Sequence, residues 1–445
     1  MKVFADLHIH SLYSTGTSNK MTLENIDRYG EMKGLNLIGT GDFTHPMWLK
    51  ELEEKLVELE SSQLYKFRKR SSEIRYMITG EISTNFEYEG HIKRIHNLLL
   101  VPNFEIARQL IDVLKNYGDL TLNGRPELEI SASEFVEIVK SVDQKVEIIP
   151  CHIWTSHFSV LGQKGFNSVK ECYEDQTENL LALETGLSAD PKMCWRIKEL
   201  DKFPLVSNSD CHSPYPHRLG REANIFEVKK LTYDSVINAI RGKKNAGFEM
   251  TVEVPPEYGK YHYTGHRKDR RYLIGGIWKI HEVDVCFHPR EALKLNNICP
   301  ICRRTMTIGV LQRVEELADR PEGYIPPNST SFIHLIPLTE ILMYLENTSS
   351  PVVKGIWETY VNLIQHFGNE YNVMLNAPRE EIGKIAGPKV AEAIMKVRLG
   401  QIRYEPGFDG IYGKIIFETE EYEQKETNKK ENKMLKGQTK LTDFS

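Results

Sequence analysis

The first 250 residues predict a parallel α/β fold that closes into a barrel. Three observations carry this prediction. Short apolar runs recur along the segment, amphipathic helical patterns lie between them, and nearly every run ends in a motif containing His, Asp or Glu. Strands that alternate with helices build a parallel sheet, and in such folds the residues just past the strand C-termini form the active site.

The runs are 3–8, 35–39, 75–79, 95–101, 146–150, 180–183 and 205–207. Helices are expected between them, among them 47–64, with Leu49, Leu52, Leu56 and Leu59 on one stripe, and 104–117. Val254-Pro255-Pro256 marks a boundary, so 1–254 is read as the barrel. Residues 255–345 are rich in Tyr, His, Arg and Cys, 346–417 return to helical patterning, and 418–445 are charged with little apolar content, a composition expected to be disordered.

A chain of 445 residues has room for two or three domains, and 40% hydrophobic with 27% charged residues is the composition of a globular protein. The sequence shows no long apolar run and no leader, so an intracellular, cytoplasmic protein with no membrane partner is expected. Seven cysteines, an odd and small number, suit thiols or a metal site rather than a disulfide framework. The net charge of −5 excludes a globally basic nucleic-acid binder, so any contact with DNA must come from local patches.

The motifs at the run ends carry the chemistry. In Asp6-Leu7-His8-Ile9-His10 the two histidines share one face of a strand and can chelate together. Asp42 and His45 follow the second run, Glu81 the third, His96 lies in the fourth, Cys151-His152 follows the fifth with His157 five residues on, and Ser209-Asp210-Cys211-His212 follows the last. Any one of these could be a satisfied loop residue. Six strand ends offering such ligands together describe a multinuclear site for zinc, manganese or iron. A bridging carboxylate, with Glu81 the best candidate, can hold two ions about 4 Å apart and so promote in-line hydrolysis of a phosphate ester. No phosphate-binding loop, dinucleotide fingerprint or nucleophile elbow competes for the role.

Together these motifs resemble the polymerase-and-histidinol-phosphatase (PHP) family of phosphoesterases. The resemblance implies a distorted (β/α)7 PHP barrel with three metals: His8, His10, Glu81 and Asp210 on one, Glu81, His96 and His152 on the second, Asp42 and His212 on the third. This chain departs from the family at Asp42 and Ser14, where histidine is common, which leaves the third metal's ligands least defined. Asp210 is assigned to the catalytic centre, and His157, or Asp42 with His45, is the candidate for proton transfer.

Cys299-Pro300-Ile301-Cys302 is a knuckle with zinc-ligand spacing. With Cys286 upstream, a Cys3His site is expected, its histidine His266, with His262 and His288 open as alternatives. Residues 268–285 read as an insertion within this segment. Arg267, Lys268, Arg270, Arg271, Arg303 and Arg304, interleaved with Tyr261, Tyr263, Tyr272 and Trp278, suit phosphates and stacked bases. Residues 381–400 read as helix, tight glycine turn, helix, with Gly387 and Lys389 at the turn, and resemble a helix-hairpin-helix module for DNA backbone. Gln438, Leu441 and Phe444 near the end resemble the short motif that docks in the sliding clamp PCNA.

The order of barrel, zinc segment, helix-hairpin-helix and clamp motif resembles the archaeal endonuclease Q family over essentially the whole chain. That resemblance implies structural zinc, with zinc, Mg²⁺ or Mn²⁺ at the active site, and incision of DNA 5′ to uracil, hypoxanthine, xanthine or abasic sites. Two other classes are a small-molecule PHP phosphatase, disfavoured by the added DNA-binding segments, and a non-catalytic DNA adaptor, disfavoured by the nearly complete ligand set.

Overall fold

The structure, a computed structural model, describes residues 1–417 apart from 69, 243–246, 349 and 352. The clamp motif at Gln438, Leu441 and Phe444 therefore lies outside the described residues. The architecture is mixed α/β around a large central sheet. Lys2–Asp6 runs parallel to Leu37–Gly39, which runs parallel to Arg75–Tyr88, with Ala5 opposite Leu37 and Leu37 opposite Arg75. On the other side Lys2–Asp6 pairs antiparallel with Ala223–Glu227, followed by Gly247–Glu253 and Ser331–His334. The sheet continues past Arg75–Tyr88 through His91–Val101 to Glu147–Pro150.

Leu183–Glu184 and Leu205–Val206 form a parallel pair of their own. The Leu181 N–H donates to Ile148 O (2.9 Å), joining this pair to Glu147–Pro150. Asp210 N–H donates to His8 O (2.9 Å) and His10 N–H to Cys211 O (3.2 Å), joining the chain that follows Leu205–Val206 to the extension of the first strand. Both faces of these strands are apolar, which is why they read as continuous runs. Val3, Ala5, Leu7, Leu37, Met77, Leu98, Leu100, Ile149 and Val206 fill one interior cluster. Alternate residues such as Ile38, Ile78, Leu99 and Ile148 face a second cluster shared with the surrounding helices.

Two expectations are corrected. The strands 75–79 and 95–101 are not joined by a helix. They extend into an antiparallel hairpin, Arg75–Tyr88 with His91–Val101, turned by Glu89 and Gly90, both at positive φ. The helix expected over 47–64 stops as Pro46–Lys55, and Leu56–Glu58 then pairs antiparallel with Tyr65–Phe67. Pairing Leu56 with Phe67 buries both side chains, and β-branched Val57 and the Ser61-Ser62 pair are weak helix formers.

Beyond the sheet, Thr264–His266 pairs with Val285–Phe287 and Arg271–Ile274 with Ile277–Ile280. After Ser331–His334 come five helices, Leu338–Leu345, Lys354–Phe367, Glu370–Leu375, Arg379–Ala386 and Pro388–Arg398, the last two turned by Gly387 at φ +88. This helical module is bound to the sheet lobe by buried polar contacts. Lys33 Nζ lies 2.7 Å from Glu370 Oε1, the Tyr371 hydroxyl donates to Gly220 O (2.6 Å), and Phe4 stacks on Tyr371. Among the described residues no helix is long and apolar enough to cross a membrane.

Candidate metal centre

The convergence of strand ends gathers His8, His10, Glu81 and Asp210, whose ligand atoms all lie within 4.8 Å of one another. Glu81, His96 and His152 form a second such group. Glu81 belongs to both, and its two oxygens divide the work. Oε2 lies 3.2 Å from His10 Nε2 and 3.7 Å from His8 Nε2, while Oε1 lies 2.7 Å from His96 Nδ1 and 3.2 Å from His152 Nε2. Asp210 Oδ1 completes the first group, 3.1 Å from His10 Nε2 and 3.8 Å from His8 Nε2. One carboxylate presented to two ligand sets is the arrangement that bridges a pair of cations.

The backbone at and beside these groups is strained. Asp42, His152 and Asp210 all take positive φ (46°, 30° and 45°), a region sparsely used by residues other than glycine. Such strain persists only where the surroundings over-determine it, and it clusters at functional sites. Gly124 lets the loop before Arg125 pass close to the site, since a Cβ there would stand 2.4 Å from Asp42 Oδ2.

The outer nitrogens of the two leading histidines are anchored. His8 Nδ1 donates to Glu184 (3.0 Å to Oε2), and Glu184 also accepts from His152 N–H and Asn208 Nδ2. His10 Nδ1 lies 3.0 Å from Asp42 Oδ1, and Asp42 Oδ2 accepts from both the Ser11 amide and its hydroxyl. These bonds fix the tautomer that points each Nε2 lone pair inward.

Burial pushes the Glu81 and Asp210 carboxyls up, but the surrounding histidines outweigh it and hold both below the ordinary range. His8 is pulled down by burial yet raised well above the usual value by Glu184, and His10 likewise by Asp42. Burial alone wins at His96, which is held low and neutral. The field that draws protons to His8 and His10 draws a divalent cation by the same charges. His8 Nε2 and His96 Nε2 are buried without a hydrogen-bond partner, a costly state that metal ligation would relieve. The donor set fits a divalent metal pair.

Other expected residues stand outside these two groups. Among the described residues, Asp42 and His212 belong to no set of three or more close ligand atoms. Both Asp42 oxygens are taken by His10 and Ser11, and His212 Nδ1 faces the Asp210 carbonyl at 3.0 Å. Asp42 therefore orients His10. His45 is buried against Tyr13, ring centroids 4.4 Å apart, and His157 is exposed with its ring 6.0 Å from that of Tyr261; neither joins the ligand groups. His8, Cys151 and Glu184 also lie close together, but the Cys151 thiol is pushed well up by burial and keeps its proton.

Two residues at the site were not anticipated. Glu184 ends the 180–183 run as the other ligands end theirs, a legible signal. Arg125 gave none: it comes from a loop, and its guanidinium reaches 3.5 Å from Glu81 Oε2 with its Nε unpartnered. Nearby, a cavity of about 200 Å³ is lined by Tyr258, Lys260, Tyr261, Tyr412, Arg218 and Arg221 among others. Arg221 also donates to Ser209 O (3.0 Å), beside Asp210.

The second cluster also differs from expectation. His266, His281, Cys299 and Cys302, all buried, form a ligand group, with His281 in place of Cys286. His281 Nε2 lies 3.1 Å from Cys299 Sγ and His266 Nδ1 3.3 Å from Cys302 Sγ. Their other nitrogens donate to Val283 O (2.7 Å) and Thr305 O (3.0 Å), leaving lone pairs for a metal. Alternation along Val285–Phe287 explains the exchange. Val285 and Phe287 face the cysteine cluster, so Cys286 faces away.

At the proposed DNA surfaces, Arg267, Arg271 and Lys389 are exposed. Arg267 N–H donates to Asp409, which also accepts from Arg270, tying this basic stretch to the 406–413 loop.

Residues 337–401 match the family described as the MJ0043 C-terminal domain. The chain is 36% identical over 280 residues to the uncharacterized protein MJ0043 of Methanocaldococcus jannaschii, covering 61% of this chain but only 32% of that protein. It is 28% identical to the uncharacterized protein YqxK of Bacillus subtilis, over 93% of this chain and 99% of that one. Among solved structures it is similar to the lesion-specific endonuclease PfuEndoQ of Pyrococcus furiosus, with 32% identity, a TM-score of 0.81, and coverage of 94% of this chain and 96% of that one. An endonuclease Q in complex with a 27-mer duplex bearing an abasic lesion at the active site matches with the same identity and TM-score, over 98% of its length. Agreement in sequence and fold across almost the full length of both chains shows that this protein belongs to the endonuclease Q family.

Proposed function

We propose that this chain is a metal-dependent DNA repair endonuclease that hydrolyses the phosphodiester 5′ to deaminated bases (uracil, hypoxanthine, xanthine) and abasic sites. The observation that carries the reading is Glu81, presented to two ligand groups at once in a chain that matches a lesion-bound endonuclease Q over 94% of its length. We read the sheet lobe as a distorted PHP-type barrel, the His266, His281, Cys299 and Cys302 group as a structural zinc site, and the active-site ions as zinc, Mg²⁺ or Mn²⁺. The tail is read as a PCNA-docking segment.

When bound, divalent ions would lower the pKa of water and neutralise charge on the attacking and leaving oxygens. The protein's own residues do the rest. Glu81 and Asp210, held ionised, supply the negative charge, and His8, His10, His96 and His152 would supply ring-nitrogen lone pairs once a cation takes the place of their inner protons. Glu184 and Asp42 keep the Nδ1 protons of His8 and His10 on the outer side. Arg125 has donors to spare beside Glu81 and would grip a non-bridging phosphate oxygen. The cavity between Tyr258, Tyr261 and Tyr412 offers aromatic walls to a nucleotide withdrawn from the stack, as enzymes acting at a single base require.

The test is an end-labelled duplex with one deoxyuridine, deoxyinosine or abasic site, incubated with Mg²⁺ or Mn²⁺. A single cut just 5′ of the lesion, absent with EDTA and with Asp210→Ala, is the expected result. An intact strand with folded, metal-loaded protein would reject the endonuclease reading.

A further inference from the structure

Away from the metal centre, exposed apolar side chains are densest on the hairpin Arg271–Ile274 with Ile277–Ile280. Ile277, Trp278 and Ile280 are 66%, 69% and 54% exposed, and Leu273 and Ile274 40% each. Soluble proteins seldom keep such a patch without a use for it. The tip is bare backbone. Gly275 and Gly276 both take positive φ (56° and 78°), the two-residue turn that glycine permits, and a Cβ on either would meet nothing within 4 Å. Ile274 and Ile277 flank the tip, and Leu273 and Trp278 stand opposite one another behind them.

The base of the hairpin is cationic and firmly mounted. Residues 267–304 hold nine Lys and Arg against four Asp and Glu in a chain whose net charge is −5. Asp269 N–H donates to His281 O and His281 N–H to Arg270 O, so the hairpin closes on a residue of the second metal-ligand group. Arg304, two residues past Cys302, donates to Leu273 O. The same lobe reaches the cavity lined by Arg218 and Arg221 through Tyr261. A narrow apolar tip on a cationic base has the shape and charge of an element that enters between base steps while cations hold the flanking phosphates. Nothing in an apolar protein partner would call for the surplus of positive charge.

We propose that this hairpin is a wedge that enters the DNA duplex beside the target nucleotide and fills the gap left when that nucleotide is withdrawn. This rests on the DNA reading above. It assigns the apolar tip to unstacking and Arg271, Lys279 and Arg304 to the neighbouring phosphates.

The experiment uses the full chain with Ile274→Ser, Ile277→Ser and Trp278→Ser combined, and Trp278→Ala alone as a milder second variant. Bound zinc and circular dichroism verify that both are folded. An abasic duplex carrying 2-aminopurine beside the lesion is mixed with each protein in calcium, so that binding is read without relying on cleavage. The native protein is expected to raise the fluorescence as the neighbouring base unstacks. The triple variant is expected to lose that rise and to bind the duplex about tenfold or more weakly, with binding to the single strand unchanged. An unchanged rise and affinity in the triple variant, or an equal loss on single and double strands, would overturn the wedge. So would a tip that serves only to pair two copies, seen as a native dimer and a variant monomer with equal DNA binding. If the native protein fails to cut in Mn²⁺ while the fluorescence difference persists, the endonuclease reading falls and the wedge stands. If it neither cuts nor binds, both fall.

Discussion

One hydroxyl, Ser207 Oγ, lies 3.0 Å from both Glu222 Oε2 and Glu253 Oε2. It has one proton to donate, so one of the two buried carboxyls must carry a proton and donate back. Burial pushes Glu253 up to about 7 and Glu222 well above the ordinary range, the second aided by the charge of the first. A carboxyl raised in the folded state adds stability that is full below its unfolded pKa and is lost as pH rises through the folded value. Thermal stability is therefore expected to fall by about 1.4 kcal/mol per pH unit, for the one proton the pair holds, as pH rises from about 4.5 towards about 7. Glu253→Gln, which keeps a hydrogen-bonding group without the charge, should flatten the slope in melts taken from about pH 5 to about pH 8. An unchanged slope would show that the pair does not share a proton. At this same scale the candidate metal ligands were legible, because His8, His10, Glu81, His152 and Asp210 each lie at or just past the end of an apolar run. Arg125 was not, because a lone arginine in a loop carries no periodicity and its meaning lies in the strand end it faces.

At the scale of elements, alternation decided what spacing could not. The Cys-x-x-Cys knuckle announced a metal site in the sequence, and Cys286 was the natural third thiol by proximity. Only the register of Val285–Phe287 against Thr264–His266 shows that Cys286 points away and that the hairpin after Asp269 delivers His281 instead. Elemental analysis should therefore find full bound metal in Cys286→Ser and a loss of about one ion per chain in His281→Ala, a four-ligand closed site being intolerant of a missing ligand. The reverse pattern would restore Cys286 to the site. The long hairpin Arg75–Tyr88 with His91–Val101 escaped sequence reading for a related cause. Its outer half holds no continuous apolar run of the kind that marked the other strands, and its turn at Glu89-Gly90 lacks an asparagine or aspartate to announce it.

At the scale of the whole molecule, the helical module is built into the catalytic lobe. Glu370 takes Lys33, the Leu338 amide and the Tyr360 hydroxyl, while Tyr371 bonds Gly220, whose own amide holds Asp6. Asp6 in turn accepts from the Ser209 amide next to Asp210, so the C-terminal helices and the candidate metal centre share one buried network. The order of segments was legible in the sequence; this coupling was not, since its partners lie up to 337 residues apart. The central claim is that Glu81 unites two metal groups into one hydrolytic centre. Its most direct test is a Mn²⁺ titration of Glu81→Gln beside the native protein, with bound metal and incision of an abasic duplex measured on the same samples. Loss of tightly bound metal together with a fall in incision of about a hundredfold or more is the predicted result. Incision at the native rate in a Glu81→Gln protein would contradict the account.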